Sequence, residues 1–314
     1  MRQLLIALPL LAACSGPERL SAPAPPKLKV FLLAGQSNME GQAVVDLDHP
    51  EHYNGGRGIL KSVLQEPGLG LEFGHWLEAD GAWAERDDVY VWYQPHDGPL
   101  KAGRLSIGFA VYEGRHHFGP ELELGWELGE RFSEPVLLVK TCWGGKSLMR
   151  DFRPPSAGGE VGECYLRMIE EYRVAIDSYR ARFPELAAFE PELTGFVWFQ
   201  GWNDMFTEGA LDAYTGNLIH LIKDLRDEMD TPLLPFVVGQ TGNANSEELW
   251  AAQEAATLVA EFSGCASYVP TRAFLRPAED SPNTGHGHHW FGNAESYLRI
   301  GDALGNAMVT LLGR

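Results

Sequence analysis

Four short stretches concentrate the residue types that acyl-transfer chemistry requires: Gly35-Gln36-Ser37-Asn38, Trp143-Gly144-Gly145-Lys146-Ser147, Gln200-Gly201-Trp202-Asn203-Asp204 and His286-Gly287-His288-His289-Trp290. Acyl transfer needs a serine as nucleophile, a histidine to take its proton, and donors aimed at the developing oxyanion. Ser37 supplies the first and the histidine cluster the second. The Gly144-Gly145 turn and the Asn203 side chain supply the third. Each alone has an ordinary alternative: Ser37 could cap a helix, Gly144-Gly145 could be a plain turn, and Asn203 or Asp204 could be an N-cap. A lone His289 is more often a surface or satisfied interior residue. The combination carries the inference.

These stretches acquire a common location from the elements before them. The runs KVFLLA (29–34), DVYVWY (88–93), PVLLVKT (135–141), GFVWFQ (195–200) and LPFVVG (234–239) are strand candidates. Most are continuously apolar, as strands buried on both faces of a parallel sheet must be. Helical periodicity lies between them. One helix opens after Pro120 and carries Leu122, Trp126 and residues 128–132. Others are marked by Leu166, Ile169, Tyr172, Ile176 and Tyr179, by Tyr214, Leu218, Leu221, Leu225 and Met229, and by Tyr297, Ile300, Leu304, Met308 and Leu311. The alternation predicts an α/β fold, a three-layer doubly wound sandwich with a mostly parallel central sheet. Ligands bind such sheets beyond the carboxyl ends of the strands, where the first three stretches fall, and the histidine cluster precedes the last helix. Residues 41–87 and 94–118, rich in Gly, His and Asp, carry no sustained period and read as long loop insertions in one domain.

The chain of 314 residues sets 25 Lys and Arg against 43 Asp and Glu, a formal charge of −18. That surface repels phosphate at long range, which argues against nucleic acid or an anionic membrane face and suits a neutral substrate such as a glycan. Met1 and Arg2 followed by the apolar LLIALPLLAA describe an exported leader too short to span a bilayer. The string LAAC, ending at Cys14, resembles the lipobox of bacterial lipoproteins, whose cysteine is lipidated. The expected organisation is therefore a signal peptide over 1–14, a flexible tether over 15–27 and one globular domain over 28–314. Membrane contact is expected only through the lipid on Cys14, on the periplasmic or cell-surface side. Cys142, Cys164 and Cys265 are too widely spaced for a zinc ribbon or a dense disulfide framework and read as free thiols.

GQSNM (35–39), WGGKS (143–147), FQGWND (199–204) and HHW (288–290) together resemble the sequence blocks of the SGNH hydrolases, whose fold is flavodoxin-like. The branch most similar is that of sialate O-acetylesterases and carbohydrate esterase family 6 acetylxylan esterases, and the likeness runs from about Lys29 to the last helix. It implies Ser37 as nucleophile, His289 as general base, and Asn203 and Gly145 as oxyanion donors. Gly144 stands as the alternative to Gly145, and His288 and His286 as alternatives to His289. It also implies a serine esterase without cofactor, acting on an acetylated glycan.

The sequence departs from that pattern in two places. An Asp-x-x-His arrangement would put the orienting acid at position 286, which is histidine. Glu279, Asp280, Asp204 or a backbone carbonyl must then hold the imidazole, or nothing does. Trp202 stands where many relatives carry Glu. With Trp143 and Trp290 it could offer indole faces to sugar rings, and Gln36 adjoins the nucleophile; these four are the substrate-binding candidates. Trp198, inside a strand run, reads as core. A metal site is not expected, because adjacent His288 and His289 point apart and no second group has ligand spacing. The rival functions are a glycan-binding surface lipoprotein without turnover, and a lipid or thioester acyl hydrolase on the same fold.

Overall fold

A computed structural model describes residues 24–241 and 246–313. The leader, Cys14 and most of the tether lie outside the described residues. The strands are β1 (Lys27–Gly35), β2 (Ala43–Val44), β3 (Val89–Tyr93), β4 (Lys101–Arg104), β5 (His117–Phe118), β6 (Val136–Cys142), β7 (Glu190–Phe199), β8 (Phe236–Gly239) and β9 (Ala266–Val269). The α-helices are α1 (Ser37–Glu40), α2 (Leu60–Val63), α3 (Pro67–Phe73), α4 (Glu121–Arg131), α5 (Glu163–Arg182), α6 (Ala210–Glu228), α7 (Glu247–Thr257) and α8 (Ala294–Leu311).

Seven strands form one sheet in the order β4-β3-β6-β1-β7-β8-β9. All neighbours are parallel except β4, which pairs antiparallel with β3 at one edge. The five apolar runs read from the sequence are its five central strands. Their side chains divide by alternation along the strand. Phe31 and Leu33 face α4 and α8, while Val30, Leu32 and Ala34 face α5, α6 and α7. The result is the expected three-layer α/β sandwich, with an apolar core on each side of the sheet.

Two details of the sequence reading change. The buried side of α5 carries Cys164, Tyr165, Met168, Ile169, Ala175 and Tyr179, whereas Leu166 is 57% exposed. The helix is rotated so that the row at 165, 168 and 169 meets the sheet. The 41–87 insertion is not merely loop: it carries α2 and α3, and Leu60, Val63, Phe73 and Trp76 are buried on the α4–α8 side. It is joined to the 94–118 insertion by the antiparallel β2–β5 pair, Ala43 opposite Phe118. The three cysteines are free thiols, Cys142 and Cys164 buried and Cys265 half-buried.

Candidate active site

Register brings the first three stretches to one level. β6 and β7 flank β1, and Gly35 is opposite both Cys142 and Phe199. The turns after the three strands therefore emerge side by side at one sheet edge. Gly35 is required by close approach: a Cβ there would stand 2.2 Å from the Phe199 carbonyl oxygen. The chain then turns at Gln36 into α1, whose first residue is Ser37.

The histidine arrives from the loop before α8. Trp290, Phe291 and Gly292 all have left-handed φ values, 52°, 54° and 66°. The two non-glycine residues cost roughly 1–2 kcal/mol each in that conformation. The tight turn is closed by the amides of His289 and Phe291, both donating to the His286 carbonyl. Asn38 ties the loop to the nucleophile turn: its Nδ2 donates to the His288 carbonyl at 3.0 Å, and its Oδ1 accepts from Tyr297 Oη at 2.6 Å.

In this setting His289 Nε2 lies 3.0 Å from Ser37 Oγ. Of the three clustered histidines only His289 bonds the serine. The His288 ring lies beside it, tilted by 51° with centroids 4.0 Å apart, and His286 is exposed, 6.1 Å from the His289 ring. Burial, with the neighbouring His288 and His286 charges, pushes the His289 imidazole down to about 3. Among the described residues no carboxylate bonds or acts on it. Glu279 and Asp280 are exposed and offer only backbone carbonyls, to Asn54, Arg57 and Asn293. Asp204 is fully buried and accepts from the amides of Leu148 and Met149, both at 2.9 Å, and from Gln200 Nε2 at 2.7 Å. It shapes the turn after β6 rather than orienting the histidine, and burial raises its pKa.

A cleft of about 400 Å³ opens over the pair, lined by Gln36, Glu40, Gln42, Gly145, Asn203 and His288 among others. Gln36 Nε2 donates to Asn203 Oδ1 at 2.9 Å, while Gln36 Oε1 accepts from the Gly201 amide and Gln200 Nε2. Asn203 Nδ2 makes no hydrogen bond within the described residues. The Gly144 amide donates to the Glu40 carboxylate, so of the two glycines Gly145 keeps its amide for the cleft. Its φ of 72° is a conformation that favours glycine.

The four substrate-binding candidates separate. Gln36 and Trp202 line the cleft. Trp143 and Trp290 are each 1% exposed and do not. Trp143 stacks on Phe152 beneath the Arg167 guanidinium, so its ring belongs to the core with Trp198. An aromatic beside a motif glycine does not reveal which way its ring turns, and the expected surface of three tryptophans reduces to Trp202.

Sequence reasoning passed over Asn38, Glu40, Gln42 and Tyr112. Gln42 Nε2 bonds the Ser37 carbonyl and its Oε1 accepts from Tyr112 Oη. Three of the four stand within five residues of Ser37, and that proximity was the available signal. Tyr112 arrives from the second insertion and left none.

Comparison with known proteins bears on the family and the fold. The family described as carbohydrate esterase, sialic acid-specific acetylesterase matches residues 27–310. The chain belongs to this family. It is a carboxylic ester hydrolase by that membership, in a family of carbohydrate acetylesterases. A protein of Arabidopsis thaliana named a probable carbohydrate esterase is 24% identical over 220 residues, 69% of this chain and 70% of the relative. The crystal structure of an Arabidopsis thaliana protein aligns at a TM-score of 0.56 and 16% identity, over 91% of this chain and 99% of its own. NanS aligns at 0.56 and 14% identity, covering 92% and 99%. A carbohydrate acetylesterase of Xanthomonas citri aligns at 0.52 and 15% identity, covering 91% of this chain but 56% of its own. These likenesses establish the shared fold.

Proposed function

We propose that the protein is a serine esterase that removes acetyl groups from a carbohydrate through an acyl-enzyme. The observation that carries the reading is the 3.0 Å contact between Ser37 Oγ and His289 Nε2, beside Gly145 and Asn203 in one cleft. Ser37 Oγ attacks the acetyl carbonyl carbon as His289 Nε2 takes its proton. Asn203 Nδ2 and the Gly145 amide donate to the oxyanion. The intermediate collapses, and His289 returns the proton to the departing sugar oxygen. Water, deprotonated by His289, then releases acetate from Ser37. The cleft is small and its floor is polar, which suits acetyl better than a long acyl chain.

The test is acetate release from p-nitrophenyl acetate and acetylated xylan, beside Ser37→Ala. Loss of turnover by several orders of magnitude in a folded variant is expected; retained activity would sink the mechanism. One observation favours a second reading, a glycan-binding protein without turnover: no carboxylate orients His289 among the described residues. Absent turnover with measurable glycan binding by the parent protein would select it. The proposal includes export and a lipid on Cys14, checked by fatty-acid labelling that is lost in Cys14→Ser.

A further inference from the structure

The most exposed Phe, Tyr and Trp side chains among the described residues are Phe206 at 71% and Tyr112 at 43%. Tyr112 stands at the active-site cleft, and Phe206 is one ring removed from it, against Trp202. Phe206 closes the short turn Trp202–Phe206 that leaves β7, with its ring 5.5 Å from that of Trp202 and tilted by 58°. Trp202 in turn borders the cleft beside His288, ring centroids 5.3 Å apart. An aromatic step therefore leads outward from the reacting centre.

Directly after Phe206 in the chain begins one wall of a second depression, of about 590 Å³. Its walls continue the two loops that build the active site. Thr207 and Glu208 follow Phe206, and Met149 and Arg150 follow the Gly144-Gly145 turn. The exposed Leu166 forms part of its apolar side. The charged lining is Asp151, Glu160, Glu163 and Glu208 against Arg150 and Arg153. Arg153 is already committed to the carbonyls of Met149 and Gly158. Such a lining accepts hydrogen bonds from hydroxyl groups and repels carboxylates.

We infer that this depression and Phe206 form a second sugar subsite, which takes the neutral ring adjoining the acetylated one. The inference rests on the carbohydrate esterase reading and narrows it, from any acetylated sugar to a neutral oligosaccharide or polysaccharide. The apolar face of the adjoining ring would lie on Phe206 and its hydroxyls would point to the acidic wall.

Steady-state kinetics on acetylated xylotetraose, methyl 2-O-acetyl-β-xyloside and O-acetylated sialic acid test it, with the parent protein, Phe206→Ala and Phe206→Trp. The parent is expected to prefer the tetraose over the monosaccharide by about tenfold in kcat/KM, the scale of one aromatic contact. Phe206→Ala should erase that preference through KM, and Phe206→Trp should restore it. Equal kcat/KM for the two xylosides in the parent, a preference that survives Phe206→Ala, or a preference for the sialic acid ester would each overturn the subsite. Hydrolysis of p-nitrophenyl acetate that depends on Ser37, with none of the three sugars accepted, would instead bring down the carbohydrate reading beneath it.

Discussion

Gln36 donates its Nε2 to Asn203 Oδ1 at 2.9 Å, and this bond decides which end of the Asn203 amide is left for the cleft. Gln36 cannot turn over, because its own Oε1 is held by the Gly201 amide and by Gln200. Asn203→Ala should lower kcat on p-nitrophenyl acetate by on the order of 10²–10³, the usual cost of one oxyanion donor. Gln36→Glu should cost nearly as much by turning the Asn203 amide. A carboxylate there has no donor for Oδ1, so the Asn203 amide rotates to give it Nδ2. A near-parental kcat in Gln36→Glu would refute the coupling.

The His289 imidazole is held down at about 3, by burial first and by its histidine neighbours second. A general base works only when neutral, so its working form persists down to about pH 3 instead of failing near the ordinary 6.5. The acid limb of kcat/KM should accordingly lie far below pH 6. The same environment opposes the imidazolium that forms as the serine attacks. His286→Asp would place a carboxylate in the Asp-x-x-His position. It should raise the acid limb toward neutrality and increase kcat at pH 7. The check is a pH–rate profile paired with an NMR titration of His289, and an unmoved limb would rule out orientation from position 286.

How far the sequence foretold this site depended on what each residue type determines alone. Continuous apolar runs can only be central strands in a chain of this kind, so β1, β3, β6, β7 and β8 were all legible, and with them the edge where the turns gather. The edge strands were not, since Lys101–Arg104 and Ala266–Val269 bury little and carry no apolar run. Helix α7 was missed because several of its nonpolar residues are alanine, which marks no face. Ser37, Asn203 and Gly145 were readable from motif and strand end together. The preference for His289 over His286 and His288 came from the resemblance alone, because the placement is made by left-handed turns at Trp290 and Phe291 that no residue-type preference announces.

Glu40 is buried at the cleft floor with its pKa raised to about 7. Burial is the largest cause, opposed by the Gly144 amide, the Tyr93 hydroxyl and Lys140. Because the folded pKa exceeds the ordinary 4.5, its contribution to stability is fully present below about pH 4.5 and is lost as pH rises through 7. Glu40→Gln keeps the size and an acceptor for Gly144 but cannot ionise. Its advantage over the parent should grow from near zero at pH 4 to on the order of 3 kcal/mol above pH 7. An ionised Glu40 beside the Gly144-Gly145 turn also opposes an oxyanion, so kcat of the parent should decline above about pH 7 while the variant stays level. Denaturant midpoints and rates across pH read both, and parallel profiles for the two proteins would exclude this role.

Behind the nucleophile turn, Lys140 and Glu121 form an ion pair at 2.8 Å in which neither side chain is exposed. Lys140 Nζ also donates to the carbonyls of Glu40 and Phe109, so one ammonium joins the end of α1 to the second insertion. Lys140→Met would strand the Glu121 carboxylate and leave both carbonyls without that donor. A loss of roughly 3–5 kcal/mol is expected, as when one partner of a buried pair is removed. Glu121→Leu should be comparably costly, since it strands the ammonium. The double variant removes both charges and should be milder than the sum of the singles, a coupling that a double-mutant cycle in guanidinium chloride measures directly. Additive losses would mean that the two charges contribute independently, with the carbonyl contacts alone holding α1 in place.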